Sequence, residues 1–328
     1  MSARPLGVGF LGAGAVVQTI HLPTLARLRD RLETRVVMDV NPQTAAAVAA
    51  RAGARATTSE SDLLADTSVD IVAICSPPEF HAAQVVAAIR AGKRTILCEK
   101  PLASSPEGIA AIREAANAGV RLAVGAMHVH DPAWTAVKPH LFAAHTVRSS
   151  IVLPFNDRFE DAATQLLPRP AFAMGELDDA ARRAMLEAAV LGLAIHDLPL
   201  VRAFLPRRPS LFSARFLEPF GYAINLSTPD TVVELHGLMQ PHWQPRWTFE
   251  AVSADASLHV DFTPSFVHAG SAVATLADKS GVRVFGPYPM NGYEAEWRAL
   301  ATGAPLPPLD EVLDDISFAV DIAVGATA

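Results

Sequence analysis

The sequence has little cysteine, little charge and no long apolar run. Cys75 and Cys98 are the two cysteines in 328 residues, which excludes a disulfide framework and a cysteine-based zinc site. Both thiols end apolar runs, so we expect them to be buried. Charged residues make up 19% of the chain, and 34 acids against 27 bases give a net charge of −7. This balance predicts neither a nucleic-acid partner nor an anionic membrane as a partner.

The sequence also lacks targeting and membrane signals. One arginine precedes the apolar segment 6–11, without the charged region and cleavage site of a signal peptide. In the second half, the uncharged stretch 188–195 is far shorter than the ~20 residues of a membrane span. The length suits about two domains of roughly 150 residues. We therefore expect a cytoplasmic two-domain protein that acts on a small-molecule substrate.

The first 126 residues alternate short apolar strands with helices. Strands are predicted at 8–11, 36–38, 71–74, 95–97 and 122–124, and helices at 15–32, from Asn41-Pro42 to Gly53, at 79–91 and at 106–118. Apolar strands alternating with helices predict a parallel sheet that is covered on both faces, hence an α/β domain over residues 1–126.

The second half has a different pattern. Longer strands of alternating polarity are predicted at 147–153, 231–236, 247–253 and 257–262, with a helical block at about 177–205 and a last helix at about 309–323. This order predicts an α+β domain over residues 127–328 with an open, mostly antiparallel sheet. Residues 154–176 form an irregular stretch that suits a substrate loop, in which Asn156 and Arg158 are either substrate contacts or solvated side chains.

A glycine-rich turn follows the first strand and opens a helix, with the sequence Gly12-Ala13-Gly14-Ala15-Val16-Val17. Gly12 permits the tight turn, and Gly14 lets a pyrophosphate approach the helix N-terminus, while Val17 takes the third glycine position. Asp39 ends the second strand, where a carboxylate accepts hydrogen bonds from ribose hydroxyls and repels a 2′-phosphate. No lysine or arginine follows immediately. We predict that NAD binds here in preference to NADP, the alternative being a tight turn without a ligand.

A second motif, Cys98-Glu99-Lys100-Pro101-Leu102, ends the fourth strand. A lysine at the carboxyl end of a parallel strand faces the crevice in which such sheets bind ligands. Apolar walls and nearby charges lower the pKa of a lysine toward values that allow proton exchange. Lys100 is therefore a catalytic candidate, the alternative being a solvated surface charge.

In these motifs the chain resembles the glucose–fructose oxidoreductase, inositol dehydrogenase and rhizopine-catabolism (Gfo/Idh/MocA) family. The resemblance covers nearly the whole chain. The segments that carry it are Gly12-Ala13-Gly14, Asp39, Ile74-Cys75-Ser76-Pro77-Pro78-Glu79-Phe80-His81, Ala91-Gly92-Lys93, Glu99-Lys100-Pro101, Gly292-Tyr293-Glu294-Ala295-Glu296-Trp297 and Thr302-Gly303-Ala304-Pro305.

The resemblance implies a Rossmann domain, doubly wound, followed by an α+β domain whose large sheet forms an oligomer interface, so we expect a homo-oligomer, a dimer or tetramer. It implies NAD(P)-dependent hydride transfer at a carbon of a sugar or polyol. By this likeness Lys100 assists proton transfer, and Glu99 holds the ribose–nicotinamide end of the cofactor. Ser76, Pro77 and His81 would then lie near the nicotinamide.

The chain departs from the family pattern around the family's active-site histidine. His196 matches that histidine, but Gly192 stands four residues earlier, where the family has an aspartate. On a helix these two positions share one face, so the glycine leaves a hole there. Asp197 is expected to point elsewhere, and Pro199 replaces another frequent aspartate. His196 is a candidate for proton transfer or for binding a substrate hydroxyl, the alternative being a satisfied core histidine.

A second departure lies in Met127-His128-Val129-His130-Asp131-Pro132, with Val129 where the family commonly has arginine. If this segment is extended, His128 and His130 share one face and are candidates for binding a polar substrate or for replacing the lost acid–base groups. Satisfied structural histidines are the alternative. A third ligand at short spacing is absent from the sequence, so we predict no metal.

The sequence thus predicts an NAD-dependent oxidoreductase acting on a sugar, polyol or sugar derivative, with Lys100 and His196 in proton transfer. Two alternatives stay open. The missing Asp and Arg positions also suit a less polar ketone or imine of a biosynthetic pathway. A cofactor-binding member of the family without ordinary net redox turnover is the other.

Overall fold

The computed structural model describes residues 4–116, 119–155, 177–240, 244–264 and 269–327. They divide into two compact units. The first unit runs to Gly125 and also takes in Tyr293–Ile316, and the second comprises the described residues from Ala126 to Gly292 and those from Ser317 onward. Residues 293–316, which we predicted to belong to the second domain, lie in the first unit. The limits of the two functional domains stay a prediction.

The first unit contains a parallel six-stranded sheet with the order β3-β2-β1-β4-β5-β6. This is the strand order of a doubly wound Rossmann sheet, as predicted. Its strands are β1 Leu6–Leu11, β2 Leu32–Met38, β3 Arg55–Thr57, β4 Ile71–Ile74, β5 Thr95–Cys98 and β6 Arg121–Val124. Its helices are α1 Leu22–Arg27, preceded by a π-helical segment Val17–His21, α2 Pro42–Ala52, α3 Glu60–Ala65, α4 Pro78–Arg90 and α5 Pro106–Ala115, with α9 Gly292–Thr302 returning to this unit from Tyr293 onward.

Local signals explain where α2 begins and ends. The Asn41 side chain accepts hydrogen bonds from the backbone N–H groups of Gln43 and Thr44, and Pro42 occupies the first turn. Gly53 closes the helix in the left-handed region, with φ +65°. The predicted bounds of this helix are therefore confirmed.

The first predicted helix, 15–32, is wrong at its C-terminal end. The helical residues end at Arg27, and Leu32 already begins β2. Leu28 and Leu32 are both buried, so their apolar character fits a helix or a strand equally well. The short elements β3 and α3 were not predicted, because three exposed or half-buried residues of an edge strand carry almost no hydrophobic pattern.

The second unit contains an eight-stranded sheet with the order β14-β13-β12-β11-β7-β10-β9-β8. All its pairings are antiparallel except that of β7 with β10, so the mostly antiparallel sheet is confirmed. Its strands are β7 Thr146–Leu153, β8 Ser210–Phe216, β9 Phe220–Ser227, β10 Val232–Met239, β11 Arg246–Val252, β12 Ser257–Asp261, β13 Val273–Asp278 and β14 Gly281–Phe285. Its helices are α6 Pro132–Val137, α7 Asp179–Gly192 and α8 Leu198–Arg202, and the last helix of the chain is α10 Leu309–Thr327.

The core of the first unit joins the sheet to α9. Val8 and Phe10 of β1 and Leu97 of β5 are buried in one apolar cluster with Trp297 and Leu300 of α9. Burial of a large aromatic side chain is among the strongest single contributions to a core. Among the described residues, no helix combines the length and the apolar character that crossing a membrane requires.

Candidate active site

The predicted cofactor residues of the first unit follow neighbouring strands. In the order β2-β1-β4-β5, the glycine turn follows β1, Asp39 follows β2, Ser76 follows β4, and Glu99 follows β5. The carboxyl ends of parallel strands meet at one edge of the sheet, and the change of direction between β1 and β4 opens a crevice there. The fold therefore collects these residues around the position at which Rossmann sheets bind dinucleotides.

The turn after β1 requires glycine at one position and leaves another open. Gly12 has φ +93°, its N–H donates to the Met38 carbonyl at 2.9 Å, and a Cβ on Gly12 would lie 2.6 Å from the Cys75 carbonyl oxygen. Gly14 is exposed, and a Cβ built there meets no atom within 4 Å. The space in front of Gly14 is thus free for a ligand to approach the backbone at the start of the helix.

The residues after Gly14 differ in what they present. Ala15 and Val16 are half-buried at the start of the helix. The Val17 side chain is fully buried in the apolar core. Val17 therefore offers a ligand no side-chain contact, and the third position of the motif packs the helix against the sheet instead.

Asp39 lies beside the glycine turn. One carboxylate oxygen accepts the Ala13 N–H and the other the Asn41 N–H, both at 2.9 Å. The following side chain, Val40, is 84% exposed, and Asn41 caps α2. The acid is therefore fixed in place and half-buried, with lone pairs left for ligand hydroxyl groups.

The segment after β4 holds Ser76, Pro77 and His81. Ser76 Oγ donates to Gln84 Oε1 at 2.5 Å, and Pro77 is exposed immediately before α4. The His81 ring is buried between the Ser76 carbonyl, 2.8 Å from Nε2, and the Pro101 carbonyl, 2.7 Å from Nδ1. His81 therefore ties the segment after β4 to the one after β5, and its predicted contact with a cofactor stays a prediction.

Glu99 turns inward rather than toward solvent. Its Oε1 lies 3.0 Å from His21 Nε2, its Oε2 accepts the Lys100 N–H at 3.2 Å, and the residue is buried. Burial by itself raises the pKa of Glu99, but the His21 hydrogen bond and the neighbouring Lys100 outweigh burial and leave the pKa below its ordinary value. Glu99 is therefore a buried anion held by the protein itself.

Lys100 follows this anion. Burial lowers the pKa of the Lys100 ammonium group, while Glu99 raises it, and the net pKa lies below that of a free lysine. A lysine of lowered pKa carries more neutral amine at neutral pH and so exchanges protons more readily. Cys75 and Cys98 are both free and buried, as predicted, and burial raises the pKa of both thiols.

The second unit brings histidines together around a buried carboxylate. His128 and Asp197 are both buried, and His128 Nδ1 donates to Asp197 Oδ1 at 2.7 Å. Asp197 Oδ2 also accepts the Ser149 hydroxyl at 2.5 Å and the Trp247 indole N–H at 2.9 Å. Three donors converge on one carboxylate, which satisfies a buried charge without a metal.

His128 and His196 lie in an aromatic setting. The His128 ring stacks on Phe262 with centroids 3.7 Å apart, and its centroid lies 6.1 Å from that of His196. Trp247 meets both histidine rings edge-on. Among the described residues, His128 Nε2 finds no hydrogen-bond partner. The histidine that lies beside His128 in space is therefore His196, whereas the sequence predicted a pair of His128 and His130.

Two geometric premises of the sequence analysis are wrong here. Residues Met127–His130 form a 3-10 turn rather than an extended segment, so His128 and His130 do not alternate as strand residues. Helix α7 ends at Gly192, Leu193 has φ −123° and ψ −55°, and a separate 3-10 turn carries Ala194–His196. Gly192 and His196 therefore do not share one face of a continuous helix.

The break at Leu193 also corrects the expectation for Asp197. On a continuous helix Asp197 would point away from the site. In the structure it faces His128 instead. His130 lies in the same 3-10 turn as His128, and burial lowers its pKa to about 4.

Two predicted substrate residues and the prediction on metal binding remain to be placed. Asn156 and Arg158 lie outside the described residues. Within the part of the chain that the structure describes, no cluster of three histidine, cysteine, aspartate or glutamate side chains has the geometry of a metal site.

Sequence reasoning missed three residues of these networks. His21 is a polar side chain within an apolar helical face, which was the one available signal. Trp297 donates its indole N–H to His21 Nδ1 at 3.1 Å across 276 positions of the chain. No local pattern pairs residues that lie as far apart in the chain as His21 and Trp297. Asp197 was missed because we assumed a continuous helix around it.

The family comparison matches residues 6–126 to the model of an oxidoreductase family with an NAD-binding Rossmann fold, GFO_IDH_MocA. Among curated proteins, an inositol 2-dehydrogenase of Saccharopolyspora erythraea is 39% identical over 133 residues, 40% of this chain and 39% of that protein. An inositol 2-dehydrogenase of Acidothermus cellulolyticus is 33% identical over 175 residues, 50% of this chain and 51% of that protein. The chain thus spans between two fifths and one half of the length of these relatives.

Solved structures share the fold over nearly the whole chain. A UDP-N-acetylglucosamine 3-dehydrogenase from Acidithiobacillus ferrooxidans superposes with a TM-score of 0.72 at 20% identity, covering 99% of both chains. A 3-ketoreductase from Actinomadura kijaniata, in complex with NADP and TDP-benzene, superposes with a TM-score of 0.70 at 19% identity, covering 97% of this chain and 96% of that one. At this identity the likeness establishes the fold alone.

Proposed function

We propose that this chain, whose residues 6–126 match the GFO_IDH_MocA oxidoreductase family, transfers a hydride between NAD(H) and a carbinol or carbonyl carbon of a sugar, polyol or sugar derivative. The observation that carries the proposal is the edge of the first sheet, where the open glycine turn, Asp39 and Lys100 follow neighbouring strands. The partial matches to inositol 2-dehydrogenases support a polyol as the substrate class.

The residues at the glycine turn fit a dinucleotide. The open space at Gly14 lets a pyrophosphate reach the first backbone N–H groups of the helix, which have no partner within the helix. The fixed carboxylate of Asp39 accepts hydrogen bonds from the ribose hydroxyls of the adenosine half. NAD bound there would supply the acceptor for the hydride of the substrate carbon.

Asp39 also supports NAD over NADP. A 2′-phosphate would lie against this carboxylate, and Val40 and Asn41 bring no positive charge beside it. Measured dissociation constants for NADH and NADPH test this step. Asp39→Ser should narrow the difference between the two cofactors, and a wild-type protein that binds NADPH at least about tenfold tighter, about 1.4 kcal/mol, overturns it.

We assign to Lys100 the transfer of the substrate hydroxyl proton. In alcohol oxidation its neutral amine accepts the hydroxyl proton of the substrate, and in ketone reduction its ammonium form returns it. The lowered pKa of Lys100 supports this exchange near neutral pH. His196 is assigned a hydrogen bond to a substrate hydroxyl or a part in the same proton transfer. A homo-oligomer remains our expectation for the assembled enzyme.

The experiment is NADH-linked turnover with a panel of polyols and sugars, myo-inositol first, in both directions. Lys100→Arg keeps the positive charge but removes the exchangeable proton, because arginine stays protonated. We expect it to lower kcat by about 10²-fold or more while NADH still binds. Lys279→Arg, on an exposed side chain, is the matched control and should leave kcat unchanged. Equal activity of both variants would refute the role of Lys100.

One observation favours a second candidate. Gly192 contributes no carboxylate, and the surroundings of His128 and His196 include Trp247 and Phe262. Such an aromatic setting suits a less polar ketone or imine. Turnover of apolar ketones with NADH, together with no turnover of any polyol, would favour this second function. Tight NADH binding without turnover on either panel would favour the family member without net redox chemistry.

A further inference from the structure

A buried chain of hydrogen bonds runs from Trp297 through His21 to Glu99. The Trp297 indole N–H lies 3.1 Å from His21 Nδ1, and His21 Nε2 lies 3.0 Å from Glu99 Oε1. An indole can only donate, so Nδ1 of His21 must accept. The ring proton therefore sits on Nε2, which donates to the carboxylate. Trp297 thus selects the His21 tautomer that Glu99 needs.

The Glu99 carboxylate is held on its other sides as well. Its Oε2 accepts the backbone N–H of Lys100 at 3.2 Å. A Cβ on Gly125 would lie 2.8 Å from Oε1, so the carboxylate packs directly against the backbone that follows β6. One oxygen is thus set by His21, the other by Lys100, and Gly125 leaves room for both.

We propose that His21 and Trp297 are positioning residues for Lys100, acting through Glu99, and that Gly125 keeps their hydrogen bonds possible. The proposal rests on the proposed function, in which Lys100 exchanges the proton. When the His21 hydrogen bond is lost, the Glu99 carboxylate is free to rotate. Its Oε2 then no longer holds the backbone N–H of Lys100. The negative charge that favours the ammonium form of Lys100 moves at the same time.

The other ionisable groups around Glu99 do not replace this arrangement. Glu296, on α9 beside Trp297, is fully buried, and burial together with Glu99 raises its pKa well above the ordinary value, which disfavours its charged form. Burial and Glu99 likewise raise the pKa of the Cys75 and Cys98 thiols. Among these four groups Glu99 is the one whose pKa lies below its ordinary value, and His21 and Lys100 are the groups that hold its oxygens.

The variants distinguish the loss of hydrogen bonds that position Glu99 from the loss of packing in the apolar core. His21→Leu removes both hydrogen bonds of the ring. His21→Gln keeps a donor for Glu99 and an acceptor for Trp297, and is the conservative rescue. Trp297→Phe keeps the aromatic ring without its N–H. Gly125→Ala displaces the carboxylate without removing any polar group. Leu300→Val, in the same helix and the same apolar cluster, is the matched packing control.

Three measurements judge these variants in the full-length protein. The first is NADH-linked turnover of the polyol that the panel identifies, with kcat and the Kd of NADH determined separately. We expect His21→Leu and Gly125→Ala to lower kcat by about 10-fold to 10²-fold with the Kd of NADH unchanged. His21→Gln should recover most of the loss, and Leu300→Val should match the wild type.

The second and third measurements need no substrate. Nitrogen NMR of ¹⁵N-histidine-labelled protein should give His21 as a single Nε2–H tautomer, and Trp297→Phe should lose that preference. Trace acetylation followed by mass spectrometry resolves the four lysines of the chain. Relative to Lys138 and Lys279, Lys100 should react faster in His21→Leu and in Gly125→Ala, because the anion that favours its ammonium form is displaced.

The outcomes are distinguishable from those of the proposed function. If no substrate turns over, hydride transfer fails, while NMR and acetylation still decide on the positioning residues. If His21 shows the Nδ1–H tautomer, or if Lys100 reacts equally in every variant, the inference is overturned even for an active enzyme. If His21→Leu does not fold, Gly125→Ala and Trp297→Phe carry the same test.

Discussion

Removing the Asp197 carboxylate should destabilise the second unit strongly. In Asp197→Ala, three buried donors lose their acceptor: His128 Nδ1, Ser149 Oγ and Trp247 Nε1. Each unsatisfied buried donor costs about 1–3 kcal/mol, although the hydroxyl can turn to another acceptor. We therefore expect a loss of about 3–5 kcal/mol, comparable to breaking a buried ion pair.

Urea unfolding followed by tryptophan fluorescence measures this loss. With an m-value near 3 kcal/mol/M, the midpoint should fall by about 1–2 M at unchanged m. Ser149→Ala is the matched control, because it removes one donor and leaves the carboxylate two others, for a loss of about 1 kcal/mol. A loss below about 1 kcal/mol for Asp197→Ala, or one equal to that of Ser149→Ala, would refute the idea that Asp197 organises this cluster.

Three further outcomes are expected. His196→Ala should cut kcat/KM by about 10²-fold or more with NADH binding intact, and an unchanged rate on the substrate would reject its role. Gly12→Ala should weaken NADH binding and lower stability beyond the ~1–3 kcal/mol of backbone strain alone, because its Cβ would lie 2.6 Å from a carbonyl oxygen. Gly53 also has a positive φ, but a Cβ there meets open space, so Gly53→Ala measures the cost of backbone strain alone. Equal losses of stability in the two variants would contradict a clash between the Cβ at position 12 and the Cys75 carbonyl. Burial lowers the pKa of His130 from 6.5 to about 4. Between pH 4 and pH 6.5, His130 is therefore protonated in the unfolded chain but neutral in the folded chain. Stability should therefore fall on acidification from about pH 6.5 to pH 4, and His130→Asn should flatten that part of a pH–stability curve.

The sheet of the first unit was predictable because its signals are local. Five of its six strands contain a short apolar run, β3 being the exception, and α2 carries both its cap, Asn41, and its C-terminal glycine, Gly53. The glycine turn and Asp39 also lie within a single strand–helix–strand stretch. The chemistry of such a site can be read from one segment of chain.

The second unit was predictable in class but not at its candidate site. Alternating polarity indicated four of the eight strands, β7, β10, β11 and β12, and missed β8, β9, β13 and β14. The approach of Asp197 to His128 depends on one backbone break at Leu193. A continuous helix and a broken one fit the same apolar spacing around Gly192. The surroundings of Glu99 failed for a different reason, since His21 and Trp297 meet across 276 positions.

Placing Trp297 in the first unit has a consequence for how the chain is built. Trp297 and Leu300 fill the apolar core around β1, so the ribosome must synthesise the second unit up to Gly292 before that core can close. Until then the core around β1 lacks the Trp297 indole, and His21 Nδ1 lacks the N–H that it accepts. A transplant of the first unit of this chain must therefore carry residues 293–316 along with the N-terminal segment, because the unit is built from two separate stretches of the sequence.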